Sequence, residues 1–269
     1  MDSINVLEEY TSSVPCFINY EGKRYYFKAV EDEGHELVGD ILANICGINT
    51  TSDRIVFVNN EYYYLSYDLN NDGIYQDAAK LGFISLSMYD MWSTLEEKYP
   101  RDTKRLMEEL VSIYVFDALL LYGDRHLNNF GILDNDGILK FYIMDNEMIF
   151  SATDDIKLKP ILSNKDKLKK YVDFKLDSET VPYNLKINLE NFEYFIATLG
   201  NEFYKIVLDI YYKLSPEVVK RVLLKIHDDY EDVLEIATIK EDMYLYSINY
   251  ECVTKILIER GLINGQRIH

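Results

Sequence analysis

The N-terminal part of the chain shows the alternation of apolar and polar side chains that is typical of strands paired in hairpins. Residues 17–20 and 24–30 are rich in aromatic and β-branched side chains and are separated by a short glycine-containing turn. Residues 54–58 and 61–67 repeat this pattern, with two asparagines between them. The pattern therefore predicts two β-hairpins.

Helical periodicity replaces this alternation elsewhere in the chain. Between the hairpins, residues 35–47 place Leu37, Ile41 and Ile45 at helical spacing and end in Gly47, a residue typical of helix C-termini. Beyond the second hairpin and a polar linker the pattern is mainly helical. The predicted helices cover residues 87–99, 101–122, 189–214 (as one helix or two), 216–227 and 230–260.

One stretch in the middle of the chain combines polar residues in an order that a simple turn does not require. Gly123-Asp124-Arg125-His126 follows an apolar helix end, and Asn129 comes shortly after Asp124. The apolar run 141–144 then predicts a short buried strand that ends at Asp145. Phosphoryl transfer uses one carboxylate to orient the attacking hydroxyl, and a second carboxylate with an amide oxygen to bind Mg²⁺. The order of these groups therefore indicates a phosphotransferase site.

The loop at residues 123–129 and the later Ile143-x-Asp145 pattern resemble the catalytic and metal-binding loops of the phosphatidylinositol kinases. They resemble more closely those of the bacterial relatives of these enzymes, the HipA-like protein kinases. The resemblance implies an α+β, bilobal, protein-kinase-like fold, with a small β-rich N-lobe (residues 1–68) and a larger helical C-lobe (residues 69–269). It also implies ATP and Mg²⁺ as cofactors, and phosphorylation of serine or threonine in a protein substrate, with autophosphorylation in addition.

The resemblance gives each residue of the motif a role. Asp124 would orient and deprotonate the acceptor hydroxyl, whereas Asn129 and Asp145 would bind Mg²⁺. His126 would either donate to the transferring phosphate or orient Asp124. Arg125 is expected to contact a group in the segment that follows Asp145.

A lysine and a glutamate fall where this family holds the nucleotide phosphates. Lys28 lies late in the second strand among apolar neighbours, and Glu36 lies in the first turn of the following helix. Residues 36–38, Glu-Leu-Val, match the family's pattern on this helix. The resemblance implies that Lys28 binds the α- and β-phosphates of ATP and that Glu36 holds Lys28. The alternatives are a surface lysine and an acid that interacts only with the helix dipole.

Two further segments are assigned to nucleotide binding by their position. Ser12 and Ser13 precede the first hairpin, where a phosphate-covering loop belongs, although no glycine is present there. As in the HipA-like kinases, their hydroxyls would contact the phosphates or become phosphorylated. Tyr67 and Asp68 lead into the polar linker, where the backbone would contact adenine. A plain turn and a plain linker are the alternatives.

Two features depart from the family pattern or stand apart from it. Glu147 follows Asp145-Asn146 at a position where the usual motif has glycine, which leaves the backbone geometry and the metal count open. Residues 156–170 contain six lysines and a single acid in an otherwise acidic chain. This segment is expected beside the cleft, where it would recruit an acidic substrate or a phosphorylated loop, or simply be a solvated loop.

Composition narrows the classes of partner. The net charge of −18 argues against broad binding of nucleic acid or of an anionic membrane. No apolar run reaches membrane-spanning length, and the three dispersed cysteines suit reduced thiols in a cytoplasmic protein, or in an effector exported without a cleaved signal. The expected partners are a protein substrate and an antitoxin-like or other regulatory protein. The alternative functions are a lipid or small-molecule kinase and a nucleotide-binding pseudokinase that acts as an interaction module.

Overall fold

The structure, a computed structural model, describes residues 15–30, 34–84, 88–122, 125–150 and 197–264, which form eight strands and six α-helices. The N-terminal elements are β1 (Cys16–Tyr20), β2 (Lys23–Ala29), α1 (His35–Cys46), β3 (Asn49–Thr50), β4 (Arg54–Val58) and β5 (Glu61–Tyr67). After a 3₁₀ turn (Leu69–Asn71) come β6 (Ile74–Asp77), α2 (Met88–Lys98), α3 (Thr103–Leu119), β7 (Phe130–Asn135), β8 (Ile138–Ile143), α4 (Asn201–Lys213), α5 (Pro216–Asp229) and α6 (Ile236–Glu259).

The first sheet is antiparallel with the strand order β1-β2-β5-β4, so both predicted hairpins are present. Their turns, Glu21-Gly22 and Asn59-Asn60, have positive φ at both residues, which matches the twist of a two-residue hairpin. Phe27 and Leu65 lie on one face in a small cluster of their own, whereas Tyr64 on the other face joins the main core. The sheet therefore connects to the rest of the molecule through one face.

A second sheet has the order β3-β8-β7-β6, and β6, β7 and β8 lie beyond the second hairpin, where the pattern predicted mainly helices. A strand is present where one was predicted at residues 141–144, but it begins earlier, because β8 covers Ile138–Ile143. Strand β3 pairs with β8 in parallel, whereas the other strands of this sheet pair antiparallel. This sheet places the end of β8 beside the start of β7 and thus beside the loop that precedes β7.

The helices of the C-terminal part pack around α3, which is buried along most of its length. Helix α3 contacts α2, α4, α6 and β8. Helix α1 also packs against α4, α5 and β3, so it is fixed against the C-terminal helices and the second sheet. Among the described helices, none combines the length and apolar character needed to cross a membrane.

Helix α1 approaches the residue after Asp145 very closely. A Cβ atom built on Gly39 would lie only 2.5 Å from the Cβ of Asn146. The next residue, Asp40, is 2% exposed and accepts hydrogen bonds from the side chain of Asn146 (2.8 Å) and from the backbone N–H of Asp53 (2.9 Å). Burial and the nearby negative charge of Asp53 raise the pKa of Asp40 to about 8.

Gly39→Ala should destabilise the protein, although alanine is the better helix former by about 1 kcal/mol. The added methyl group would force α1 away from Asn146, and overpacking of this kind costs about 1–3 kcal/mol. Chemical denaturation would measure the free energy of unfolding. Asn44→Ala, at an exposed position of the same helix, is the control and should not destabilise. A more stable Gly39→Ala variant would contradict the close packing.

Asp40 should make the protein lose stability as the pH rises. Its pKa is higher in the folded protein than the ordinary value of 3.8, so the folded state keeps a proton that the unfolded chain releases. The resulting stabilisation is complete below about pH 4 and is lost as the pH rises through about 8. Thermal unfolding of Asp40→Asn should therefore show a weaker pH dependence than wild type. Glu97→Gln, at an exposed site, should leave the wild-type slope unchanged.

Candidate active site

The site begins where β2 and the first turn of α1 meet. Strand β2 presents Lys28 and α1 presents Glu36, and the Nζ atom of Lys28 lies 2.5 Å from Oε2 of Glu36. The two side chains are 18% and 4% exposed, so the pair is largely shielded from water. The predicted contact between Lys28 and Glu36 is therefore present in the structure.

Two further acids approach the same amine from the loop after β8. The Nζ atom of Lys28 lies 3.2 Å from Oε2 of Glu147 and 3.8 Å from Oδ1 of Asp145. Burial opposes the charge on Lys28, but Glu36, Glu147 and Asp145 together raise the pKa of the amine above its ordinary value. Lys28 is therefore protonated at neutral pH and is surrounded by three acids.

The loop before β7 is held by Arg125, whose side chain is completely buried. Its Nε and Nη2 atoms donate to the two carboxylate oxygens of Asp117, each at 3.0 Å. Its Nη1 atom donates to the carbonyl oxygens of Asn129 and Met144, and Nη2 also donates to Oδ1 of Asn146 at 2.9 Å. These contacts use all five donors of a guanidinium. One of these partners, Asn146, directly follows Asp145. Residues 151–196 lie outside the described part of the chain, so a contact of Arg125 with that segment stays a prediction.

The predicted metal-binding residues are linked by one tyrosine. The hydroxyl of Tyr122 donates to the carbonyl oxygen of Asp145 at 2.5 Å, and the side chain of Asn129 forms a hydrogen bond with the same hydroxyl. Asn129 is buried, and its backbone N–H donates to the carbonyl oxygen of His126. The structure thus brings Asn129 and Asp145 together around the hydroxyl of Tyr122.

Asp145 has an unusual backbone conformation for a residue with a side chain. Its φ of 56° lies in the left-handed region, which aspartate tolerates better than most residues but which still carries strain. The hydrogen bond from Tyr122 holds its carbonyl oxygen, and its carboxylate is 38% exposed beside Lys28. Strain maintained by surrounding contacts is a common property of functional sites.

The carboxylate groups around Lys28 are of the kind that binds a divalent cation. Carboxylate oxygens of Glu36, Asp145 and Glu147 all lie within 4.8 Å of one another. Mg²⁺ prefers carboxylate and amide oxygens, and the amide of Asn129 belongs to the same group of contacts. The fit is thus one of donor chemistry, with Glu147 beside Asp145, and metal binding by Asp145 and Asn129 stays a prediction.

Other predicted site residues lie apart from this group or outside the described part of the chain. Asp124, Ser12 and Ser13 lie outside the described residues. His126 is exposed, and its Nδ1 atom accepts a hydrogen bond from the backbone N–H of Asn128. The roles of these residues remain predictions.

The backbone N–H groups of the predicted hinge residues, Tyr67 and Asp68, donate hydrogen bonds within the protein. The N–H of Tyr67 donates to the carbonyl oxygen of Thr51, and the N–H of Asp68 donates to that of Arg24. The carboxylate of Asp68 caps the 3₁₀ turn by accepting from the N–H of Asn70. A role of Tyr67 and Asp68 in adenine binding remains a prediction.

Asp117, Asp40 and Asp53 are absent from the sequence-based prediction of the site, and Glu147 enters it only as a departure from the family pattern. Asp117 carries a signal of its own, because an acid among apolar helix residues indicates burial. Asp40 and Asp53 gave no such signal, because their partners are brought to them only by the tertiary fold.

No protein-family model and no curated protein matches the sequence. The structure is similar to the crystal structure of the Helicobacter pylori proinflammatory kinase CtkA, with a TM-score of 0.62 and 15% identity over 94% of this chain and 98% of that one. It is also similar to a chain from the Shewanella oneidensis MR-1 toxin–antitoxin complex of HipA, HipB and operator DNA. That match has a TM-score of 0.55 and 12% identity, over 91% of this chain and 64% of that one. The chain thus has the bilobal α+β fold of the HipA-like kinases, as the loop motif predicted.

Proposed function

We propose that this chain is an ATP-dependent, Mg²⁺-requiring kinase that phosphorylates serine or threonine in a protein. The observation that carries the proposal is the convergence of Lys28, Glu36 and Asp145, which come from a strand, a helix and a loop. A protein kinase needs this lysine–glutamate pair beside a metal-binding aspartate. The fold shared with CtkA and HipA supports the same activity.

The chain's own residues have distinct tasks in this proposal. Lys28 binds the phosphates of the nucleotide, because it is a shielded amine that stays protonated. Asp145 and Asn129 hold Mg²⁺, which when bound would offset the negative charge of the phosphates. Asp124 orients the acceptor hydroxyl and accepts its proton. Arg125 positions this loop through its buried contacts with Asp117.

The partners and regulation belong to the same proposal. A chain similar in fold was solved with HipB and operator DNA, which supports an antitoxin-like partner for this protein. Phosphorylation of Ser12 or Ser13 would add about −1.5 to −2 charges beside the proposed phosphate site, and would thus oppose ATP binding. We place the protein in the cytoplasm or among exported effectors.

A nucleotide-binding pseudokinase is the second candidate, because Glu147 replaces the usual glycine and lies 3.2 Å from Lys28. An acid at this position competes with nucleotide phosphates for the amine. Transfer of radiolabelled phosphate from ATP to the protein itself, to protein substrates or to lipid distinguishes the candidates. Nucleotide binding without transfer to any acceptor would favour the pseudokinase.

Asp124→Asn should abolish phosphate transfer and leave the affinity for Mg-ATP nearly unchanged. An amide cannot accept the proton of the acceptor hydroxyl, and loss of a general base costs about 100- to 10,000-fold in rate. Turnover and calorimetric titration with Mg-ATP would measure the two effects. Asp136→Asn, in an exposed hairpin turn, should behave as wild type. Wild-type turnover of Asp124→Asn would contradict the assignment of this loop.

Asp145→Ala should instead weaken the binding of Mg-ATP, because a direct ligand of the metal is lost. The effect should disappear when ATP is titrated without a divalent cation, since Asp145 is proposed to act through the metal. Calorimetry with and without Mg²⁺ would show this difference. Asp209→Ala, whose side chain is 56% exposed on α4, is the matched control. Equal affinities for Mg-ATP in Asp145→Ala and wild type would refute the metal role.

A further inference from the structure

Two further buried acids lie next to Glu36. Asp40 and Asp53 are 2% and 8% exposed, and the backbone N–H of Asp53 donates to Asp40. The side chain of Asp53 forms a hydrogen bond with that of Glu36, the partner of Lys28. Neither aspartate belongs to the predicted kinase motif.

Hydrogen bonds hold both carboxylate oxygens of Asp53. Oδ1 of Asp53 accepts from the hydroxyl of Thr51 at 2.6 Å, and Oδ2 accepts from the hydroxyl of Ser66 at 2.8 Å. Asp53 is thereby held in place beside Glu36, with which its side chain also forms a hydrogen bond. Burial and the charge of Asp53 raise the pKa of Glu36 above its ordinary value, and Lys28 opposes this only in part.

The same group is connected to the catalytic loop on its other side. Asp40 accepts from Asn146, the residue after Asp145, and Asn146 in turn accepts from Arg125. Arg125 is paired with Asp117 near the end of α3. A continuous series of buried hydrogen bonds thus runs from α3 through the loop after β8 to Asp53 and Glu36.

We propose that Asp53 is a positioning residue of the active site, which holds Glu36 and thereby Lys28, and that Asp40 and Asn146 join this unit to the loop carrying Asp145. The inference rests on the proposed function, because it explains how the phosphate-binding amine and the metal-binding carboxylate are placed relative to each other. Asp53 itself contacts neither, so its effect passes through Glu36 on one side and Asp40 on the other.

The position of Lys28 can be tested in the full-length protein without nucleotide. Acylation by an amine-directed reagent, followed by mass spectrometry, gives the labelling rate of Lys28 relative to the exposed Lys140. Asp53→Ala should raise the relative rate about 10-fold, which is the population change expected from losing one buried hydrogen bond to a charged group. An unchanged rate in folded Asp53→Ala would overturn the proposal.

A conservative variant separates positioning from general loss of packing. Asp53→Asn keeps side-chain atoms that can form hydrogen bonds with Glu36, Thr51 and Ser66, so the labelling rate should return close to wild type. Thr254→Val removes a different buried hydrogen bond, to Tyr211, and should not change the labelling of Lys28. If Thr254→Val raised the rate as much as Asp53→Ala, the effect would be one of stability and the proposal would fail.

A second measurement covers the case in which Asp53→Ala does not fold. Ser66→Ala removes only one hydroxyl from the carboxylate of Asp53 and should raise the labelling of Lys28 by about 3-fold. No change in this variant would equally overturn the proposal.

Phosphate transfer is measured on the same proteins. Asp53→Ala should lower kcat/KM for ATP by about 10- to 100-fold, and Asp53→Asn should restore it. Absence of transfer in wild type would count against the proposed function alone, because the labelling of Lys28 needs no nucleotide.

Discussion

The geometry of the site depends on a guanidinium that has no contact with water. Burying a charge costs several kcal/mol unless it is paired and fully hydrogen-bonded, and Arg125 meets both conditions through Asp117 and three acceptors from two loops. Removing any one partner leaves a donor unsatisfied in a dry environment, so the end of α3, the loop before β7 and the loop after β8 are held as one unit. The left-handed conformation of Asp145 is maintained within this unit, because Tyr122 donates to its carbonyl oxygen.

The features that could be predicted from the sequence are those determined locally or by a motif. The hairpin turns at Glu21-Gly22 and Asn59-Asn60 match the strand twist by themselves. The second sheet was missed because β3 has only two residues and pairs with a strand far along the chain. Yet Asp136-Gly137, with positive φ at both residues, is a strong hairpin signal between apolar runs, and it could have indicated β7 and β8.

The burial of Asp40 and Asp53 could not be predicted from the sequence, because it depends on the tertiary fold. In the sequence, Asp40 is a polar residue within a helix and Asp53 is a polar residue in a loop, which is where solvated acids normally occur. Their burial depends on Gly39, whose missing side chain lets α1 approach Asn146, and Asn146 comes from the loop after β8, far along the chain. Lys28 and Glu36 could be paired in advance because a motif relates them, whereas no local pattern relates Asp40 to Asn146.

These constraints distinguish the three acids that compete for Lys28. Glu36 is 4% exposed and is held from behind by Asp53, and α1 is fixed to the C-terminal helices, with His35 bonded to Asp242 on α6 at 3.0 Å. Asp145 and Glu147 are each 38% exposed, and ion pairs at that exposure contribute little net stability. Moving Asp145 or Glu147 away from Lys28 would therefore cost little, whereas moving Glu36 would leave buried groups without their partners. Burial, rather than proximity alone, thus makes Glu36 the most firmly held of the three partners of Lys28.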